Sequence, residues 1–341
     1  QIVDAGGSEP GFINGETALK RAPWMKGVNP SLRAGTKVLT ATGVFPIEEL
    51  QDQAFIVPNL YGEESDARCI KSGLDKRLYK VTLQGGYTYY ATAEHKWPVY
   101  GQYSSGQRNG TLGKKETTEL TAGDFIPFNR RSHLFDGRGG TRDEGFFLGW
   151  LLGDGWVTTR SDTGKNQIGL IVGEDDISCM QELKRVLRSF GCEANFRPSS
   201  KGRSFELNTQ NSGLEAVMLK AGWNGKEALP ELVWTGSEEF RKGLIDGLFS
   251  SDGCFSGSDN RITLNNKSEE FLRDLQELMG FYGLPFSIST RETKAIFPNG
   301  SEGVYTISVA RSIGGLSSRR HFADTFPLTN TRKAEALSVE W

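Results

Sequence analysis

Two short segments of this 341-residue chain are near-copies of each other. FLGWLLGDG runs from Phe147 to Gly155, and IDGLFSSDG from Ile245 to Gly253. Each reads as a mostly apolar helix that stops at a glycine, the residue that takes the left-handed cap conformation past a last turn. Gly149 and Gly153 are four apart and share a helix face, and Gly247 and Ser251 hold the matching places. Faces built of small residues let two backbones approach closely. Packed on each other, the two helices bring Asp154 and Asp252 side by side at their C-terminal ends. A carboxylate there meets the negative end of the helix dipole, and a second carboxylate repels it further. A cation between them relieves both effects, and magnesium, which takes carboxylate oxygen, fits best. Paired carboxylates holding a metal at a two-fold centre suit phosphodiester hydrolysis. A plain helix stop explains one such segment, but two in register point to a shared site.

The segments sit in a longer repeat. After the first comes a strand, QIGLIV, an amphipathic helix over DDISCMQELKRVLRSFG, and a hairpin over ANFRPSSKGRSFELNT. After the second comes NRITLNN, an amphipathic helix over KSEEFLRDLQELMGFYG, and a longer hairpin over FSISTRETKAIFPNGSEGVYTISVA. The same order twice predicts a pseudo-two-fold domain with the motif helices at its axis. This stretch, residues 144–335, resembles the single-chain LAGLIDADG homing endonucleases.

The resemblance implies an αββαββα repeat whose saddle of antiparallel strands lies in the DNA major groove. It implies that Asp154 and Asp252 bind Mg2+ and align water for attack on two phosphates, and that a basic residue acts late in each copy. Lys226, in GKEALPELV, and Lys333, in TNTRKAEAL, hold those places. A lysine there stabilises phosphate charge or activates water; the plain alternative is a solvated surface lysine. Groove-contact candidates are Arg197, Lys201, Arg203, Arg291, Lys294 and Arg311, each equally readable as an ordinary exposed charge.

Residues 31–130 read differently, as short strands: SLRAGTKVLTATGVFPIEEL with a turn at Thr42-Gly43, a hairpin around Gly85-Gly86, and an edge strand in TTELTAGDFIPF. Thr92 and His95 form a T-x-x-H at a strand end, and Ser31 follows a proline. Together they resemble the splicing blocks of an intein, the Hint fold, which makes the whole chain α+β. The resemblance implies that Ser31 attacks the carbonyl of Pro30, with His95 as acid/base group and Thr92 its helper. Most relatives begin with cysteine and end in His-Asn, whereas this chain begins the block with serine and ends SVEW. It is therefore expected not to splice as written, unless a C-terminal intein fragment supplies the missing strands.

Residues 1–30 resemble a class II ribonucleotide reductase, whose GFINxxxAxxRAPWMKGVNPC run they follow until Pro30. That break is what an inserted element leaves. Residues 131–143, rich in glycine and arginine, read as a linker with a solvated His133, and residues 336–341 as the return to the splicing domain.

Composition limits the partners. The net charge of −2 gives no global case for nucleic acid, and residues 143–335 hold 22 basic against 26 acidic side chains. That balance keeps open a degenerate, maturase-like insert that binds DNA or RNA without cutting. Three histidines exclude a His-rich metal site, and four cysteines without metal spacing suggest reduced thiols. No membrane-spanning run is present. The expectation is a cytoplasmic, bacterial or phage-encoded monomer that cuts double-stranded DNA at the uninterrupted reductase gene.

Overall fold

The computed structural model describes residues 31–58, 63–71, 76–100, 112–128, 135–161, 164–200, 202–255, 260–296 and 302–338. The reductase-like segment 1–30, His133 and Lys201 lie outside the described residues. The chain divides after His133 into two compact units.

The first unit is built of hairpins, as its alternating pattern requires. Strands β1 (Lys37–Thr40) and β2 (Gly43–Pro46) pair, as do β3 (Ala54–Pro58) with β4 (Glu64–Arg68), β5 (Tyr79–Thr82) with β6 (Thr88–Ala91), and β7 (Lys96–Tyr100) with β8 (Leu112–Glu116). The turn joining β5 to β6 is closed by Leu83 N donating to Tyr87 O at 2.8 Å. Gly85 and Gly86 both take positive φ there, near 89°, which favours glycine. Ala91, Trp97 and Val99 form a small core with Leu32, Val81 and Tyr89 packed against it.

The second unit contains the expected repeat. Its first half runs α1 (Arg142–Leu152), β9 (Gly155–Thr159), β10 (Asn166–Gly173), α2 (Ile177–Ser189), β11 (Arg197–Pro198), β12 (Ser204–Thr209) and α3 (Ser212–Lys220). Its second half runs α4 (Glu238–Ser251), β13 (Cys254–Phe255), β14 (Ile262–Asn266), α5 (Glu269–Phe281), β15 (Phe286–Ile296), β16 (Glu302–Ser312) and α6 (Gly315–Thr325), and α7 (Thr331–Ser338) follows. Both four-stranded sheets have the same internal order, first–second–fourth–third strand, and all their pairings are antiparallel. One face of each sheet carries the core, through Ile168, Leu170 and Val172 in one and Ile262 and Leu264 in the other.

The helix pair α1–α4 is the centre of this unit, and small residues make it possible. A methyl group built on Gly145 would lie 2.0 Å from Phe240 O, and one on Gly149 2.1 Å from Leu244 O. In the other copy, Gly243 meets Arg142 O at 2.1 Å and Gly247 meets Phe146 O at 2.3 Å. The stripe thus starts a turn earlier than the motif suggests. The expected left-handed glycine caps are not used: Gly153 has φ −78°, and neither Gly155 nor Gly253 takes positive φ. Glycine is required instead by close approach. A Cβ on Gly155 would lie 2.7 Å from Leu151 Cα, and one on Gly253 2.5 Å from Phe249 O.

Two expected boundaries shift. Residues 135–141 are not a linker but part of the second unit. Phe135 is buried, and its carbonyl accepts from the buried Arg241, which also donates to Gly236 O at 2.7 Å. Thr141 caps α1, accepting from Glu144 N at 3.2 Å while Glu144 returns a carboxylate to Thr141 N at 2.8 Å. That reciprocal cap fixes where the motif helix starts. At the other end, α7 continues to Ser338 with Leu337 in the core of this unit, so residues 336–338 do not leave it.

Candidate active site

At the C-terminal ends of α1 and α4 the two copies converge. A Cβ on Gly153 would lie 2.0 Å from Ser251 Oγ and 3.4 Å from the Asp252 carboxyl carbon, so the chain bearing Asp154 lies beside Asp252. Burial pushes the Asp154 carboxyl up to about 6, and the neighbouring Asp252 charge pushes the same way. Burial also raises Asp252. Among the described residues no side chain or backbone amide donates a hydrogen bond to either carboxylate.

The two candidate lysines close the arrangement. Lys226 Nζ donates to Gly153 O at 2.6 Å and Gly155 O at 2.9 Å. Lys333 Nζ donates to Ser251 O at 2.5 Å and Phe249 O at 3.2 Å. Gly153 and Ser251 are equivalent positions of the two motifs, so each ammonium caps the same carbonyl of its own copy and offsets the negative helix end. Burial holds both lysines below their ordinary range, and both aspartates pull them back up. The charges pair crosswise. Lys226 weighs most on Asp252, and Lys333 weighs more than Lys226 on Asp154. The sequence tied each lysine to its own copy, and linear distance along the chain gave no sign of this crossing.

Two carboxylates are an incomplete cage, and the described residues hold no group of three or more His, Cys, Asp or Glu placed for a metal. They nevertheless suit magnesium, which keeps waters and binds through one or two carboxylates plus substrate phosphates. Adjacent carboxylates without protein donors, beside lysines already committed to backbone carbonyls, are the groups a cation would satisfy.

The groove-contact candidates separate. Strand pairing puts Arg291, Arg311, Thr263 and Asn265 on one face of the second sheet, the one turned from the core. A cleft of about 1110 Å³ leads from Asp252 and Lys226 onto that face, past Asn265, Lys267, Tyr305 and Ile307. Lys294 is three residues from Arg291 and so points to the opposite face. Arg197 lies across from Glu206 on the first sheet's outer face, and Arg203 is paired with Glu174. Sequence reasoning did not find Asn265, Tyr305 or the outward-facing Trp156, which covers Gly169. Only strand alternation after each motif could have pointed to them.

Residues 239–326 match a family described as LAGLIDADG-like domain. The second unit has the LAGLIDADG homing endonuclease fold. The chain is 24% identical over 248 residues to the ribonucleoside-diphosphate reductase NrdEB subunit alpha of Bacillus subtilis (strain 168), covering 67% of this chain and 22% of that protein. It is also 24% identical over 192 residues to a DNA polymerase of Thermococcus litoralis, covering 56% of this chain and 11% of that one. The chain thus spans about a fifth or less of these relatives. Such proteins are typical intein hosts, and the matches support an intein within a reductase-like sequence. A solved structure of I-DmoI in complex with DNA and Mn aligns over 59% of this chain and 98% of that one, at 15% identity and a TM-score of 0.37.

The first unit brings its own candidates together. Leu32 bridges Ala91 in antiparallel fashion, and Thr92 N donates to Ser31 O at 3.0 Å. Thr92 and His95 are both buried, with the His95 ring edge-on to Trp97 at 5.0 Å. Thr92 Oγ1 is buried without a hydrogen-bond partner among the described residues. The four cysteines are unpaired, and among the described residues no helix is long and apolar enough to cross a membrane.

Proposed function

We propose that this chain is an intein-borne homing endonuclease that makes a magnesium-dependent double-strand break in a long DNA site, the uninterrupted reductase gene. The observation that carries this reading is the paired site itself. Two carboxyls, Asp154 half-buried and Asp252 more open to solvent, lie at the ends of two motif helices, and each helix end is capped by a lysine on the equivalent carbonyl. Two copies of one arrangement suit two phosphodiesters on opposite strands.

Asp154 and Asp252 would hold Mg2+, which when bound activates water and neutralises charge on the phosphate. The chain supplies the rest. Lys226 and Lys333 keep the helix ends positive enough for the carboxylates to ionise as the cation binds, and they face the charge that develops on phosphate. Arg291 and Arg311 sit on the sheet face that the cleft reaches, where they would meet the DNA backbone.

The first unit would be the splicing domain, with Ser31 as nucleophile and Thr92 and His95 acting on the peptide bond before it. The hydrogen bond from Thr92 N to Ser31 O supports this by holding the T-x-x-H turn at that position. Release of residues 1–30 by hydroxylamine, lost in Ser31→Ala, would test it.

The deciding experiment is digestion of a plasmid carrying the uninterrupted site, with magnesium or chelator, by this chain and by Asp154→Asn. Magnesium-dependent linearisation lost in the variant supports the proposal. Salt-sensitive binding without cutting supports the maturase-like binder that the acidic charge balance favours. Neither binding nor cutting overturns both.

A further inference from the structure

The two halves of the active site hold their lysines by different means. Asp246, one turn before the end of α4, is 2% exposed. Its carboxylate accepts from Ser250 Oγ at 2.8 Å, Thr329 N at 2.7 Å, Thr329 Oγ1 at 2.8 Å and Arg142 Nη2 at 2.7 Å. A charge buried this deeply is retained only when its lone pairs are satisfied. Here two of the four donors, both from Thr329, come from the segment that leads into α7.

The next residue, Asn330, is 1% exposed and continues the chain of contacts. Its amide donates to Ser250 Oγ at 3.1 Å, and its side chain donates to Ser250 O at 3.1 Å and Asp176 Oδ1 at 2.9 Å. Its Oδ1 accepts from Lys333 N at 3.2 Å. Lys333 then reaches back to Ser251 O. One closed polar circuit thus runs from Asp246 and Ser250 through Thr329 and Asn330 to Lys333, and returns to the same helix end.

The first copy lacks this circuit. The positions equivalent to Asp246 and Ser250 are Leu148 and Leu152, both buried in the apolar core. Lys226 lies instead in a loop held by α5 and its cap, through Ser268 Oγ to Glu227 O at 3.0 Å and Leu229 N to Asp274 Oδ2 at 3.4 Å.

We propose that Asp246 is a positioning residue for Lys333, so that cleavage of one DNA strand depends on it and cleavage of the other does not. This rests on the endonuclease reading above. Loosening the circuit makes the protein a strand-selective nickase, because Lys226 is anchored elsewhere.

The test uses the full chain with Asp246→Leu, which copies Leu148, and Thr329→Val, which removes one hydroxyl bond and leaves the backbone bond in place. Two quantities are read. One is the cleavage rate of each strand of a duplex labelled separately on both. The other is the rate of reductive methylation of Lys333 and Lys226, followed by peptide mass spectrometry without DNA or metal. The expected result is a loss of about tenfold to hundredfold on one strand, with faster methylation at Lys333 and no change at Lys226. Lys333→Met should lose the same strand, and adding Asp246→Leu to it should change nothing further.

Equal loss on both strands, or unchanged methylation of Lys333, overturns the proposal. If Asp246→Leu does not fold, Thr329→Val alone decides on the same criteria. If the parent protein cuts neither strand, the endonuclease reading fails and the strand claim falls with it. The methylation arm then decides separately whether Asp246 holds Lys333.

Discussion

Gly149 and Leu244 touch backbone to backbone: a methyl group on Gly149 would lie 2.1 Å from the Leu244 carbonyl oxygen. No side-chain motion relieves such a contact, so the helices must part. Because α1 and α4 carry the core of the unit, Gly149→Ala should cost about 3 kcal/mol, the upper range for overpacking. Gly247→Ala, against Phe146 O at 2.3 Å, should cost about as much for the same reason. Urea unfolding of the two variants measures this, and a change below about 1 kcal/mol would mean that the helices are less tightly paired than described.

Asp154 should weaken the fold that it serves. Its native carboxyl titrates near 6, above the roughly 3.9 of an unfolded chain. Between those values the native state binds more protons than the unfolded state, so this group's contribution to stability falls as pH rises from about 4 to 6 and is flat above. The total is about 2–3 kcal/mol. Asp154→Asn should therefore be more stable than the parent at pH 7 in chelator, while the two converge near pH 4. Urea titrations across this range check it, and a difference that does not vary with pH would refute the burial argument. Cleavage should run the other way, rising with pH as the carboxyl ionises.

The crossed charges make a separable prediction for the lysines. Lys226→Met and Lys333→Met should each lower cleavage by about a hundredfold or more, the usual cost of a lost electrostatic donor. Removing a positive charge raises a neighbouring carboxyl. Lys333→Met should thus raise Asp154 more than Lys226→Met does, and Lys226→Met should raise Asp252 more. Carbon-13 detection of the aspartate carboxyls resolves the two cases. Equal shifts would show that each lysine serves both sites alike.

The repeat was legible because it rests on periodicity and small residues, which act locally. The paired Asp-Gly ends, the amphipathic α2 and α5, and the long hairpin of β15 and β16 all follow from it. Strands β9 and β13 were not legible: β13 is two residues long, and β9 begins on the motif glycine itself, where the helix pattern has only just ended. Helix α3 was missed because its apolar period is weak, and α6 because arginines interrupt it. Gly145 and Gly243 fall outside the repeated nine residues, although they make the same contacts as Gly149 and Gly247. Glycine as a cap and glycine at a close approach look identical in sequence, and only backbone dihedrals separate them. Asp246 gave no signal, because its partners Thr329 and Arg142 lie 83 and 104 residues away.

Arg291 and Arg311 share the outer sheet face with Asn265, whereas Lys294 faces the other way. Arg203 is held by Glu174 and Asp175 nearby, so any phosphate must compete for it. Hence Arg291→Ala and Arg311→Ala should each weaken binding and reduce the slope of log affinity against log salt by about one. Lys294→Ala should leave that slope unchanged, and Arg203→Ala should change it less than either groove arginine. Fluorescence anisotropy on the target duplex at several salt concentrations, in calcium or chelator to prevent cutting, gives these slopes directly. If Lys294→Ala lowers the slope as much as Arg291→Ala, the DNA does not lie on the face assigned to it, and the cleft beside Asp252 is not its route to the carboxylates.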